Sequence, residues 1–442
     1  MAASILDSSL YRELLHDAEI GALFGDRAEV DALVRVEAAL ARAQGELGVI
    51  PQHSAAHIVR VLPQLNIDPA SLATGTGVAG IPIPALLETL REAMQAPDHA
   101  RYLHWGATSQ DIMDTALVLR LREVCDIVDV RLRRLLGVLA NLAEQYAALP
   151  LAARTRRQPA TPTAFGAVVA GWGAPLLSQL DVLAQLRPRL LRVSLAGASG
   201  NSAALGDTAA AVRAALAAEL ELGHEVLPWH CDRTALAEFS ACLARINGAL
   251  AKLAEDCMLA AQAEVGELLL AGGGGSSTMP QKQNPVQAEV VVSLFQLCAA
   301  LDGAMTQALP HRQQRDGAAW MLEWHALPQV CLACGRSLQL AISMVTGLRP
   351  VAERMHENLQ GRNGLIHAEA ISFRLAELMP RPDAQAQVKQ LCADAVTQEC
   401  DLLSLLARDY PQIDWQAVTA PPAQLGDAIA QARAFVAAVR KL

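Results

Sequence analysis

Aromatic residues make up only 4% of this 442-residue chain, runs of β-branched residues are scarce, and charged residues stop at 18%. A core so poor in rings and branched side chains disfavours stacked sheets, so strands are expected to be minor. No basic block interrupts the net charge of −9, which removes the electrostatic footprint of a nucleic-acid or anionic-membrane partner. The opening residues MAASILDSSLYREL lack the basic flank and continuous apolar run of a signal peptide, and later Ala/Leu stretches read as broken by charge before they span a bilayer. The expected location is therefore the cytoplasm. The cysteines number nine, an odd count scattered through helical patterns, which argues against a disulfide framework and for a reducing compartment. Cys331-x-x-Cys334 has no second pair and lies in an apolar helical run, so core packing is favoured over a redox or metal role. No His, Asp, Glu or Cys spacing matches a ligand set, so no metal is expected.

What is abundant is alanine and leucine, within a hydrophobic content of 52%. That supports a large core and a mostly helical, all-α protein packed through small side chains. Helical spacing runs from Val30 to Leu47, and a Pro/Gly-rich stretch from Thr74 to Pro84 follows, as in a small N-terminal domain over 1–105. Long patterns then cover Asp111 to Leu149, Phe165 to Leu186, Leu236 to Leu270, Val286 to Leu309 and Leu327 to Gly347, the body of a domain over 106–348. Some would exceed about 40 Å at ~1.5 Å rise per residue, which suits a bundle. Their Ala-rich faces need partners, so a symmetric homo-oligomer is expected. After Arg349-Pro350 the helices shorten around Gly364, Pro380-Arg381-Pro382 and Ala420 to Ala423, marking a C-terminal domain over 349–442.

Three segments carry chemistry. The loop over 271–285, AGGGGSSTMPQKQNP, combines glycines that free backbone N–H groups with hydroxyls, a cation and an amide. Ser276, Ser277, Lys282 and Asn284 are donors suited to a carboxylate gaining charge. A plain glycine-serine linker would not explain the Met279-Pro280-x-Lys282-x-Asn284-Pro285 that follows. A second segment, His104-Trp105-Gly106-Ala107-Thr108-Ser109-Gln110-Asp111, precedes the first long helix. It reads either as an anion site or as a plain N-cap. The third, Arg154-Thr155-Arg156-Arg157-Gln158-Pro159, either clamps carboxylates beside a helix-starting proline or forms a solvated turn.

Gly-Ser-Ser-x-Met-Pro-x-Lys-x-Asn-Pro resembles the signature of the fumarase/aspartase superfamily, and His-x-Gly-x-Thr-Ser-x-Asp resembles its first conserved region. The resemblance covers nearly the whole chain. It implies three helical domains around a long-helix bundle, a homotetramer with a twenty-helix core and active sites shared between subunits, and chemistry on a small di- or tricarboxylate without a cofactor. It makes Ser276 the catalytic base, supported by Lys282 and Asn284. It assigns substrate contacts to Thr108, Ser109, His104, Ser277 and Met279, and to Arg154, Thr155, Arg156 and Gln158 of the second region.

In that second region many relatives carry a histidine for proton transfer where this chain has Arg156. A guanidinium stays protonated and cannot serve as a general acid. Loss of the histidine is shared with the bacterial 3-carboxy-cis,cis-muconate cycloisomerase branch, which carries tryptophan there and works in aromatic catabolism; this chain has neither residue. The same branch is resembled by Trp229-His230-x-x-Arg233, which places His230 and Arg233 in support. It is also resembled by the segment with Arg315, Trp320, Glu323 and Trp324, in which Gln313 and Met321 replace expected histidines. Glu289 matches a glutamate that pairs with the absent histidine and is expected to pair with Arg156, between subunits. Gly364 to Ala370 matches the opening helix of the C-terminal domain.

Overall fold

The computed structural model describes residues 4–271, 273–275 and 278–442. Among the described residues helices dominate, and six short strands form three two-stranded pairs: β1 (Pro150–Thr155) with β2 (Gln158–Ala164), β3 (Leu268–Leu269) with β6 (Arg349–Pro350), and β4 (Gly274–Gly275) with β5 (Gln283–Asn284), all antiparallel. The all-α expectation holds, with strands as minor as composition suggests.

The long helices are Ser109–Gln145, Phe165–Leu190, Thr234–Ala261, Val286–Gln307 and Gly317–Thr346. Two depart from the expected bounds by nine residues or more. The Thr234–Ala261 helix stops nine residues short of Leu270, because Gly266 takes φ +64° and the Glu267 N–H turns back to the Ala260 carbonyl at 2.9 Å. The last begins at Gly317 and runs through Pro328, ten residues before Leu327. Its start is fixed by Asp316, whose carboxylate accepts from the N–H groups of Ala318 and Ala319 at 3.0 and 3.1 Å. These backbone hydrogen bonds, with the Ala319 one the strongest influence, hold the Asp316 carboxyl below its ordinary range.

The chain divides into two compact units, each built from three stretches: 1–130, 179–248 and 293–338 in the first; 131–178, 249–292 and 339–442 in the second. In the first unit Leu33, Ile58, Leu62, Leu86 and Leu90 are fully buried in one core with Val212 and Leu216. Gly45 permits close packing there, since a Cβ on it would lie 2.2 Å from that of Ala55. In the second unit a C-terminal cluster gathers Ile371, Leu375, Leu391, Leu402, Leu406 and Trp415.

Two helices overturn the expectation that charge interrupts every apolar stretch. Phe165–Leu190 and Val286–Gln307 are long and apolar enough to cross a membrane by length and composition. Only 39% and 33% of their most apolar windows are buried within the chain, which leaves apolar helical surface without a partner in it. Cys331 and Cys334 are both buried in the Gly317–Thr346 helix, and burial pushes the Cys331 thiol well up.

Candidate active site

Within the first unit, the start of the Ser109–Gln145 helix is organised by Asp111. Its Oδ2 accepts from the N–H of Thr108 at 3.0 Å and of Gly197 at 2.9 Å. Its Oδ1 accepts from Ala196 N–H at 2.9 Å, Ser194 Oγ at 3.1 Å and His230 Nε2 at 2.7 Å. Burial alone would raise this carboxyl, but the His230 hydrogen bond and charge, with the amides of Thr108 and Ala196, outweigh it and hold it low. The N-cap reading of the segment is met, since Asp111 accepts from the Thr108 N–H at the helix start; the Thr108 and Ser109 side chains are half-buried there.

Arg315 reaches the same place from far along the chain. Its Nε donates to Gln110 Oε1 at 2.8 Å, and its Nη2 lies 3.4 Å from Thr108 Oγ1 and 3.3 Å from the Ala198 carbonyl. Because Asp316 caps the next helix, Arg315 leaves the chain from a fixed point. The glycine segment supports the approach: Gly106 and Gly197 both take φ +72°, and a Cβ on Gly197 would come 3.3 Å from the Gly106 carbonyl. His104, at φ +64°, sits with Nδ1 2.6 Å from Glu37 Oε1, so a fully buried carboxylate orients the ring.

His230 and Arg233 lie in the same unit. Trp229 Nε1 donates to Val193 O at 3.0 Å, and His230 holds Asp111. Arg233, 2% exposed, binds Asp114 through Nη1 and Nη2 at 2.7 and 3.0 Å, and Glu323 through Nε and Nη2 at 2.8 and 2.6 Å. Burial would lower this guanidinium's pKa, and the two carboxylates more than reverse that. A cavity of about 940 Å³ in this unit is walled partly by Asp114, Glu323 and Trp320 but by none of Thr108, Ser109 and Arg315, so it is separate from the expected site.

The second unit carries the other two segments. The arginine-rich stretch is a β-hairpin, and Pro159 lies in β2 opposite Arg154 rather than starting a helix. Thr155 pairs with Gln158, leaving Arg156 and Arg157 as a two-residue turn at φ +50° and +66°. Such turns favour Asn or Gly, and left-handed arginines cost about 1–2 kcal/mol each. Held strain of this kind is a signal of function. Arg156 and Arg157 are exposed, as are Thr155 and Gln158.

Arg154 has a partner in the chain. Its Nη1 and Nη2 donate to Glu267 Oε2 and Oε1, both at 2.7 Å, so its guanidinium is engaged by a carboxylate of the chain. Sequence reasoning did not single out Glu267, or Gln110 as the ligand of Arg315. For Glu267 the available signal was an acid directly before the apolar run Leu268-Leu269-Leu270; Gln110 stands among polar neighbours, which offered none.

The loop over 271–285 is pinched at its base by β4 and β5, where Gly274 faces Asn284 and Gly275 faces Gln283. A Cβ on Gly274 would lie 2.8 Å from Val286 Cγ2, so a side chain there would push against the start of the next helix. Lys282 N–H donates to the Met279 carbonyl at 3.0 Å, and the Lys282 and Met279 side chains are exposed. Ser276 and Ser277 lie outside the described residues. Glu289 is exposed in the first turn of the Val286–Gln307 helix, and no ion pair joins it to Arg156 within the chain among the described residues.

A lyase family model matches residues 17–300. A 3-carboxy-cis,cis-muconate cycloisomerase of Pseudomonas aeruginosa is 40% identical over 89% of this chain and 86% of its own. The chain belongs to the fumarase/aspartase superfamily. Among solved superfamily structures, the 3-carboxy-cis,cis-muconate lactonizing enzyme of Pseudomonas putida superposes with a TM-score of 0.91 at 33% identity, covering 98% of this chain and 99% of that one. A fumarate lyase of Mesorhizobium sp. BNC1 reaches 0.89 at 33% identity, covering 96% and 98%. Superfamily membership makes this chain an enzyme.

Proposed function

We propose that this enzyme is a 3-carboxy-cis,cis-muconate cycloisomerase, interconverting that tricarboxylate and 4-carboxymuconolactone. The observation that carries the reading is Arg156, exposed at a strained hairpin tip where a histidine acid is expected. In the lactone-opening direction the ring C–O bond breaks and a carboxylate leaves, which needs no protonation; an amine or hydroxide leaving group generally does. Arg156 can then bind charge without having to supply a proton. The cycloisomerases among the relatives supply the substrate for this reading.

In that direction Ser276 takes the proton α to a carboxylate. The resulting aci-carboxylate is stabilised by N–H groups of the glycine loop and by Lys282 and Asn284. Collapse of that intermediate expels the ring carboxylate and leaves the diene. Thr108, Ser109 and Arg315 hold a second carboxylate, with the Arg315 guanidinium supplying the charge and the hydroxyls the direction. His104, oriented by Glu37, contacts substrate through its other nitrogen; Thr155, Gln158, Ser277 and Met279 complete the lining. We place the enzyme in the cytoplasm as a homotetramer with active sites shared between subunits and Glu289 facing Arg156 across chains; the unburied apolar helix faces support such an assembly.

The test is loss of the diene absorbance when purified protein meets 3-carboxy-cis,cis-muconate, with adenylosuccinate, argininosuccinate and fumarate alongside. Rapid loss that disappears in Ser276→Ala, with substrate binding retained, is the expected result. Turnover of adenylosuccinate or argininosuccinate instead would move the enzyme to the C–N lyases, and silence across the panel would favour a degenerate scaffold.

A further inference from the structure

Glu267 takes no part in the reaction proposed above, yet it is 1% exposed and tied on every side. Besides the two bonds from Arg154, its Oε1 accepts from Asn358 Nδ2 at 2.8 Å. Its N–H donates to the Ala260 carbonyl and its own carbonyl accepts from Val351 N–H, both at 2.9 Å. These contacts join the hairpin, the end of the Thr234–Ala261 helix and the start of the Ala352–Gln360 helix. The chain runs from Glu267 directly into β3, and the loop over 271–285 begins two residues after that strand.

We propose that Glu267 is a positioning residue that holds Arg156 in its working place through Arg154. This rests on the reading that Arg156 binds a substrate carboxylate. A two-stranded ribbon is marginal in water unless something holds it; the base of this one is packed, with Ala152 buried beside Leu359 and Ile366, while residues 154–158 are exposed and carry two left-handed arginines at the tip. A bidentate carboxylate–guanidinium pair fixes both distance and plane, and Arg154 leaves β1 two residues before Arg156. Fixing the plane of Arg154 therefore fixes the direction in which the tip projects. The same residue stands four positions before the loop over 271–285, so the hairpin and the entry to the loop share one anchor.

The experiment is a kinetic double-mutant cycle on the full-length enzyme with 3-carboxy-cis,cis-muconate as substrate. Glu267→Gln should raise KM about ten- to a hundredfold, the range for losing a charged hydrogen bond, with kcat within about threefold. In an Arg156→Ala background the same substitution should change KM less than about twofold. An equal KM increase in both backgrounds would overturn the proposal while leaving the role of Arg156 intact. A collapse of kcat at constant KM would also overturn it, by pointing to the loop. If Arg156→Ala alone leaves KM unchanged, the reading beneath it fails and the proposal with it. Because Glu267→Gln leaves the Arg154 guanidinium facing a neutral partner, the neutral pair Arg154→Gln with Glu267→Gln is measured as well. A folded double variant should show the same raised KM, and a wild-type KM in it would refute the proposal.

Discussion

At the scale of single residues, the first unit is held by carboxylates whose charge is stabilised despite burial. Asp111 accepts five hydrogen bonds, and Glu323 is likewise low: burial would raise it, but the approach of His311 and the bonds from Arg233 prevail. A carboxyl whose folded pKa is depressed contributes stability that is present above its unfolded value and is lost as pH falls through the folded one. The ordinary values here are 3.8 and 4.5, so urea midpoints should be flat near neutrality and should begin to fall below about pH 4.5. Asp111→Asn should lose about 3–5 kcal/mol at pH 7, because it leaves the buried His230 and several N–H donors mismatched, and should flatten that acid slope. An unchanged acid slope in the variant would remove Asp111 from this account.

Among elements, the hairpin shows what sequence could and could not say. The arginine-rich stretch was legible as chemistry, but its proline suggested a helix start, and only the pairing of Thr155 with Gln158 reveals a turn with two left-handed arginines. Arg157 is exposed at the second of these positions. Arg157→Gly should relieve its strain and raise stability by up to about 1 kcal/mol, whereas Arg157→Val should cost about 1–2 kcal/mol, since a β-branched residue tolerates that conformation worst. Thermal melts of the two variants check this, and identical melting would mean that the turn relaxes. The Gly173 packing site offers a contrast within the same unit: a Cβ there would lie 2.2 Å from Phe435 Cζ, so Gly173→Ala should destabilise by about 1–3 kcal/mol.

For the whole molecule, the weakly buried helices Phe165–Leu190 and Val286–Gln307 are the physical basis for expecting assembly. Ala300 lies on an exposed face of the second helix, one turn from Gly303. Ala300→Arg should shift the sedimentation mass downward and remove activity with it, if active sites are shared between chains. A monomeric but fully active variant would contradict shared sites.

Local patterns in the chain determined the helical class, the positions of the long helices and the chemical character of the three segments, because helical periodicity and backbone freedom are properties of neighbouring residues. Ser276, Lys282 and Asn284 stand close enough together to be read as one device. Tertiary structure decided who meets whom. Arg154 finds Glu267 across 113 positions, Asp111 finds His230 across 119, and Arg315 finds Gln110 across 205. At such separations nothing in the spacing specifies a partner; packing alone brings the charges into register, and the need to satisfy every buried one then selects the pairs. That is why Arg154 reads as a substrate clamp in the sequence and is found paired with Glu267 in the fold.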